Sequence, residues 1–122
     1  MEREMGSKDG SLPGSLSPVV FQILLALANE DLHGYGIKLD VEKRTDGAMS
    51  LGSGTLYEAI QRLETSGLIA ETASPSYAPA GARKRRYYRL EQPGREALES
   101  ELAQMDKIVR FARRKKLMPQ AR

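Results

Sequence analysis

Apolar runs of helical length alternate along this chain with short polar breaks. From Val19 to Ala28 every residue but Gln22 is apolar, so this segment should form a helix buried on nearly all sides. Ser17 is placed to cap it, and Pro18 stands at its first position, where the missing N–H costs nothing. Residues 29–33 are polar enough to form a turn. A second helix is expected over residues 34–43, with Ile37 and Leu39 to Val41 facing inward, and the stretch Thr45-Asp46-Gly47 should stop it. After a short linker, residues 53–66 place Leu56, Ala59, Ile60 and Leu63 on one helical face. Gly67 follows, where a helix end calls for a left-handed residue.

The periodicity then changes. Residues 68–72 and 85–90 read as two strands joined by a loop carrying Pro75, Pro79 and Gly81, together a hairpin. Tyr87 and Tyr88 should point to opposite faces, one inward and one outward. Pro93 opens a last helix running toward Lys116, in which Leu98, Leu102, Met105, Val109 and Ala112 step by 4, 3, 4 and 3. Such a seam on so small a body predicts packing against a second copy. Three helices, a two-stranded hairpin and a long helix make an α+β, mostly α fold, a winged helix-turn-helix with a C-terminal dimerisation helix. Residues 1–15 form a polar arm in this division, 16–91 the winged-helix domain, 92–118 the dimerisation helix and 119–122 a tail.

In this arrangement the core anchors of the third helix turn Thr55, Tyr57, Glu58, Gln61 and Arg62 outward. Thr, Gln and Arg can pair with base edges, and Thr, Tyr and Arg can hold phosphates. Ser53 and Gly54 open the same helix, where a backbone without bulky side chains lets a phosphate approach.

Charge sharpens this picture. The net charge of the 122 residues is only +3, but Arg83, Lys84, Arg85, Arg86 and Arg89 fall within seven positions without an acid. Lys107, Arg110, Arg113, Arg114, Lys115 and Lys116 form a second cluster over ten. Clustered positive charge suits a polyanion through counterion release. With no cysteine, thiolate metal sites and disulfides are excluded. The single histidine, His33, is expected to cap or pack the second helix rather than bind a metal. No apolar run approaches the roughly 20 residues of a bilayer span, and a cytoplasmic protein is expected. Without a cysteine nucleophile, a second histidine or a cleft-forming carboxylate pair, no catalytic constellation is present. The alternative is a protein-interaction or architectural module without sequence-specific DNA reading; a docking surface would call for apolar residues on the outer face of the third helix.

The chain also resembles a known family. Leu32-His-Gly-Tyr-Gly-Ile37, Gly54-Thr-Leu-Tyr57, Arg62-Leu-Glu64 with Gly67-Leu-Ile69, and Arg86-Tyr-Tyr-Arg-Leu90 followed by Gly94 occur in the order and spacing of PadR-like transcriptional regulators. The similarity spans roughly residues 17–105 and looks like that of the short members. It implies a homodimeric repressor that binds double-stranded DNA at an inverted repeat and is released by a small molecule or another signal. No cofactor is implied. Thr55, Tyr57 and Arg62 match the family's recognition-helix positions, Tyr35 its second helix and Arg86 its wing. The DNA-facing set is then Tyr35, Lys38, Ser53, Gly54, Thr55, Tyr57, Gln61, Arg62, Lys84, Arg85 and Arg86. Three departures stand out: Glu58 in place of a proline, Glu91 in place of a capping threonine, and the absence of tryptophan, which leaves Phe111 as the sole phenylalanine or tryptophan on the last helix.

Overall fold

The structure is a computed structural model and describes residues 16–82 and 84–119. The N-terminal arm, Arg83 and residues 120–122 lie outside the described residues. Helix α1 spans Pro18–Asn29, and Ser17 Oγ accepts from the Val20 N–H at 3.2 Å as its cap. Helix α2 spans Gly34–Arg44, α3 Ser53–Thr65 and α4 Gln92–Arg114. The strands are β1 (Leu32–His33), β2 (Ile69–Thr72) and β3 (Tyr87–Leu90).

Instead of a plain two-stranded hairpin, the sheet has three antiparallel strands in the order β1-β3-β2. Leu32 pairs with Tyr88 and His33 with Tyr87, so the expected turn at residues 29–33 ends in a short strand. Two residues are too few to show an alternating pattern, and β1 owes its conformation to the neighbour it pairs with. That pairing also explains a second difference. Tyr87 and Tyr88 do point to opposite faces, yet both are buried. Tyr88 joins the main core, while the His33 and Tyr87 rings meet edge to face with centroids 5.1 Å apart and planes at 75°.

The core gathers Ile23, Leu24 and Leu27 of α1, Ile37 and Val41 of α2, Leu56, Ala59, Ile60 and Leu63 of α3, and Ile69 and Tyr88 of the sheet. Leu39, expected inside, is exposed. It follows Ile37 by two residues, about 200° around the helix, and so leaves the face that Ile37 and Val41 define. Along α1, Val19, Val20, Phe21 and Leu25 are only partly buried against the core, so one side of this helix is less covered than its composition suggests.

Gly67 has φ +78°, closing α3 in the left-handed conformation that glycine adopts without strain. Its neighbour Leu68 fixes the start of α4. The Leu68 carbonyl accepts from the Glu91 N–H at 3.0 Å, and a methyl group on Gly94 would overlap that same oxygen. Helix α4 therefore needs glycine at its third residue to lie against the domain. Glu91, at the cap position, makes no side-chain capping bond.

From there α4 projects away. Leu98 is buried with the domain's own core, which corrects its assignment to the dimer seam: α4 is still packed on the body at this point, so Leu98 has no surface left for a second copy. Glu101 marks the last contact of this kind with the body among the described residues, its carboxylate accepting from the Leu16 N–H at 3.2 Å. Leu102, Met105, Ile108 and Phe111 are exposed and Val109 and Ala112 half-buried.

Candidate nucleic-acid interface

Helix α3 has no side-chain cap at its start, because Gly52 occupies the cap position. Neither Gly52 nor Gly54 would meet another atom within 4 Å if it carried a methyl group. The protein's own packing thus does not demand these glycines, and the space beside them is open. Ser53, Gly54, Thr55, Tyr57, Glu58, Gln61 and Arg62 are all exposed, as the burial of Leu56, Ala59, Ile60 and Leu63 on the opposite face requires. The outer face is polar, as DNA reading needs and a docking face would not be.

The second helix is positioned by His33. Its Nδ1 accepts from the Gly36 N–H at 2.9 Å, capping α2, and the ring lies within 3.4 Å of where a Gly36 methyl group would be. Acting as an acceptor fixes the neutral imidazole with its proton on the other nitrogen. Partial burial, and then the nearby Arg85 charge, lower its proton affinity below the ordinary histidine value.

Gly34 explains how α2 and α3 meet. A methyl group there would stand 2.5 Å from the Tyr57 hydroxyl oxygen and 2.8 Å from the adjoining ring carbon. Tyr57, though half exposed, rests directly on the start of α2. The wing closes the same corner. The Arg85 guanidinium lies 5.8 Å from the centroid of the Tyr35 ring, a cation–π arrangement. Arg86 has its Nε 3.9 Å from Glu71 and lines the same corner as Tyr88. Burial, and next the neighbouring Glu64, hold the Tyr88 hydroxyl above the usual tyrosine range, so it remains protonated. Between these parts lies a cleft of about 340 Å³, lined by His33, Gly34, Tyr35, Tyr57, Arg85, Arg86 and Tyr88.

Thus Tyr35, Tyr57, Arg85 and Arg86 come together at one corner, with Ser53, Gly54, Thr55, Gln61 and Arg62 exposed along α3 and Lys84 exposed on the wing. Lys38 stands apart. Its ammonium lies 2.6 Å from Glu42, which also accepts from the Ser50 hydroxyl at 2.6 Å, and these two bonds hold the Glu42 carboxyl below its usual range. Arg89 is likewise engaged, with Glu91 at 2.7 Å. In the second basic cluster Arg110 pairs with Asp106, while Arg114 and Lys115 flank the Phe111 ring. The contributions of His33, Gly34 and Tyr88 to the cleft were not readable from sequence. The HGYG string shows that the two glycines are there, but not that a tyrosine 23 positions later needs one of them.

A polar-faced third helix, a basic wing and a small sheet define a winged-helix protein. Residues 23–100 match the family described as Transcriptional regulator PadR-like family. The chain belongs to that family. It is 28% identical to a PadR family transcription regulator from Clostridium difficile, over 80% of this chain and 97% of that one, with a TM-score of 0.65. A transcriptional regulator from Clostridium thermocellum is 26% identical over 79% of this chain and 87% of its own, with a TM-score of 0.62. Bacillus subtilis PadR, solved in complex with operator DNA, shares the fold at 20% identity and a TM-score of 0.58, over 70% of this chain and 47% of its own. No described helix is long and apolar enough to cross a membrane, and no described group of His, Asp or Glu residues is arranged to hold a metal.

Proposed function

We propose that this transcriptional regulator is a sequence-specific, homodimeric repressor that reads an inverted-repeat operator with α3 and grips the flanking backbone with its wing. The observation that carries this reading is the exposed polar face of Ser53, Gly54, Thr55, Tyr57, Glu58, Gln61 and Arg62, set beside Lys84, Arg85 and Arg86. Gln61 and Arg62 offer hydrogen bonds to base edges, and Thr55, Tyr57 and the wing arginines to phosphates. The operator complex of Bacillus subtilis PadR supports the fold's suitability for this task.

Dimerisation is supported by the exposed apolar row on α4. Among the described residues Leu102, Met105, Ile108 and Phe111 are exposed, with Val109 and Ala112 half-buried beside them, and a second α4 presents the same row to them. Two copies would set their recognition helices about one turn of DNA, roughly 34–36 Å, apart. Release by a small molecule completes the regulator, which works in the cytoplasm on chromosomal DNA. Footprinting and titration of the protein's own promoter region against random DNA at fixed salt test this reading. Two symmetric protected half-sites and a preference of about a thousandfold or more are expected. Equal affinity for both DNAs would show that α3 does not read bases.

A further inference from the structure

Several features invite a further role. The α4 apolar row belongs to the proposed dimer, and the groove between α1 and α2 beside Leu25 and Arg44 has nothing to identify an occupant. The cleft at the corner of α2, α3 and the wing is different, because its chemistry names its ligand. Two guanidinium groups, three tyrosines and a histidine line its 340 Å³, and none of the described lining residues is acidic. Its volume falls within the range of roughly 300–1,000 Å³ typical of small-molecule sites and exceeds what one phosphate group fills.

The cleft is also assembled before any ligand arrives. Tyr57 is seated on Gly34, where no side chain intervenes. Arg85 lies over the Tyr35 ring, and Arg86 stands beside Glu71 at 3.9 Å. His33 is fixed by its bond to Gly36 and its contact with Tyr87. Groups already held in place lose little further freedom on binding, so even a small ligand can bind with useful affinity.

We propose that this cleft is a preformed seat for one phosphate group, and that a small phosphate monoester occupying it displaces the operator by direct competition. The guanidinium pair takes the phosphate oxygens, for which its planar donors are suited. The tyrosine walls take the organic group of the ester. In DNA-bound protein the same seat holds a backbone phosphate. The competition therefore rests on the function proposed above, whereas the seat itself does not require sequence-specific reading.

The test uses the full chain without DNA, inorganic phosphate and phenyl phosphate as probes, and chloride to hold ionic strength constant. Saturable shifts of the Gly34 and Tyr35 amide resonances are expected, stronger with phenyl phosphate. Arg85→Gln, an exposed substitution that leaves the core intact, should abolish them. So should Gly34→Ala, by displacing Tyr57, and a melting curve verifies that this variant is folded. In operator titrations, phenyl phosphate at ten times its own dissociation constant should weaken operator binding about tenfold per seat, or roughly a hundredfold for a dimer with two seats, beyond the chloride control. Tight operator binding without saturable phosphate binding would overturn the seat and leave DNA reading standing. Phosphate binding that leaves operator affinity at the chloride level would overturn the competition. Saturable phosphate binding by a protein that lacks operator preference would uphold the seat and remove the function on which its regulatory use depends.

Discussion

Replacing Arg86 with alanine separates backbone contact from base reading. The side chain is 73% exposed on the wing and 3.9 Å from Glu71. The exposed ion pair contributes little to folding. The variant should therefore fold, and its effect should appear on DNA. Each phosphate contact contributes about 0.9 to the slope of log affinity against log salt, so two protomers lose about 1.8. At about 0.1 M salt this is roughly eightfold per contact, or about 60-fold per dimer. Operator and random DNA should lose affinity alike, since backbone contacts carry no sequence information. Glu71→Gln should act in the opposite direction, because it frees Arg86 and removes a negative charge beside the DNA. Affinity measured across a salt series decides the matter. An unchanged slope in Arg86→Ala, or a loss confined to the operator, would refute the wing's assignment as a phosphate clamp.

Gly94→Ala should destabilise the domain by about 2–3 kcal/mol, since the added methyl group meets the Leu68 carbonyl oxygen, part of the backbone that cannot easily give way. A urea midpoint equal to that of the parent would show that α4 is not held as described. Ile108→Glu removes about 1.5–3 kcal/mol of apolar burial from each copy of the proposed dimer, weakening it by about two to four orders of magnitude. Sedimentation over a concentration series would contradict the α4 interface if the dimer persisted unchanged. The neutral His33 cap gives a pH dependence. Because folding lowers its proton affinity, the unfolded chain binds the proton more readily, and the stability this cap contributes is complete above the ordinary value of 6.5. That contribution falls as the pH drops from 6.5 through the folded value. His33→Asn, which keeps an acceptor at the cap but cannot titrate, should flatten the urea midpoint between about pH 7.5 and about pH 5. If the slope persists in the variant, another group is responsible.

Local rules were enough for much of this protein. The helical spacing of Leu56, Ala59, Ile60 and Leu63 determined which face of α3 is buried, and hence that Thr55, Tyr57, Gln61 and Arg62 lie outside. Ser17 and Pro18 marked the start of α1, and Gly67 the end of α3, because caps and left-handed residues depend on the immediate backbone. Tertiary structure decided what depends on residues far apart in sequence. It made Leu32–His33 a strand, because β3 provides the pairing partner. It buried both Tyr87 and Tyr88, because both faces of the central strand are covered, and assigned Leu98 to the core, because α4 leaves the body only after that residue. The cleft is the clearest case. Tyr57 is available there because Gly34, on another helix, has no side chain, and no periodicity within either segment records that requirement.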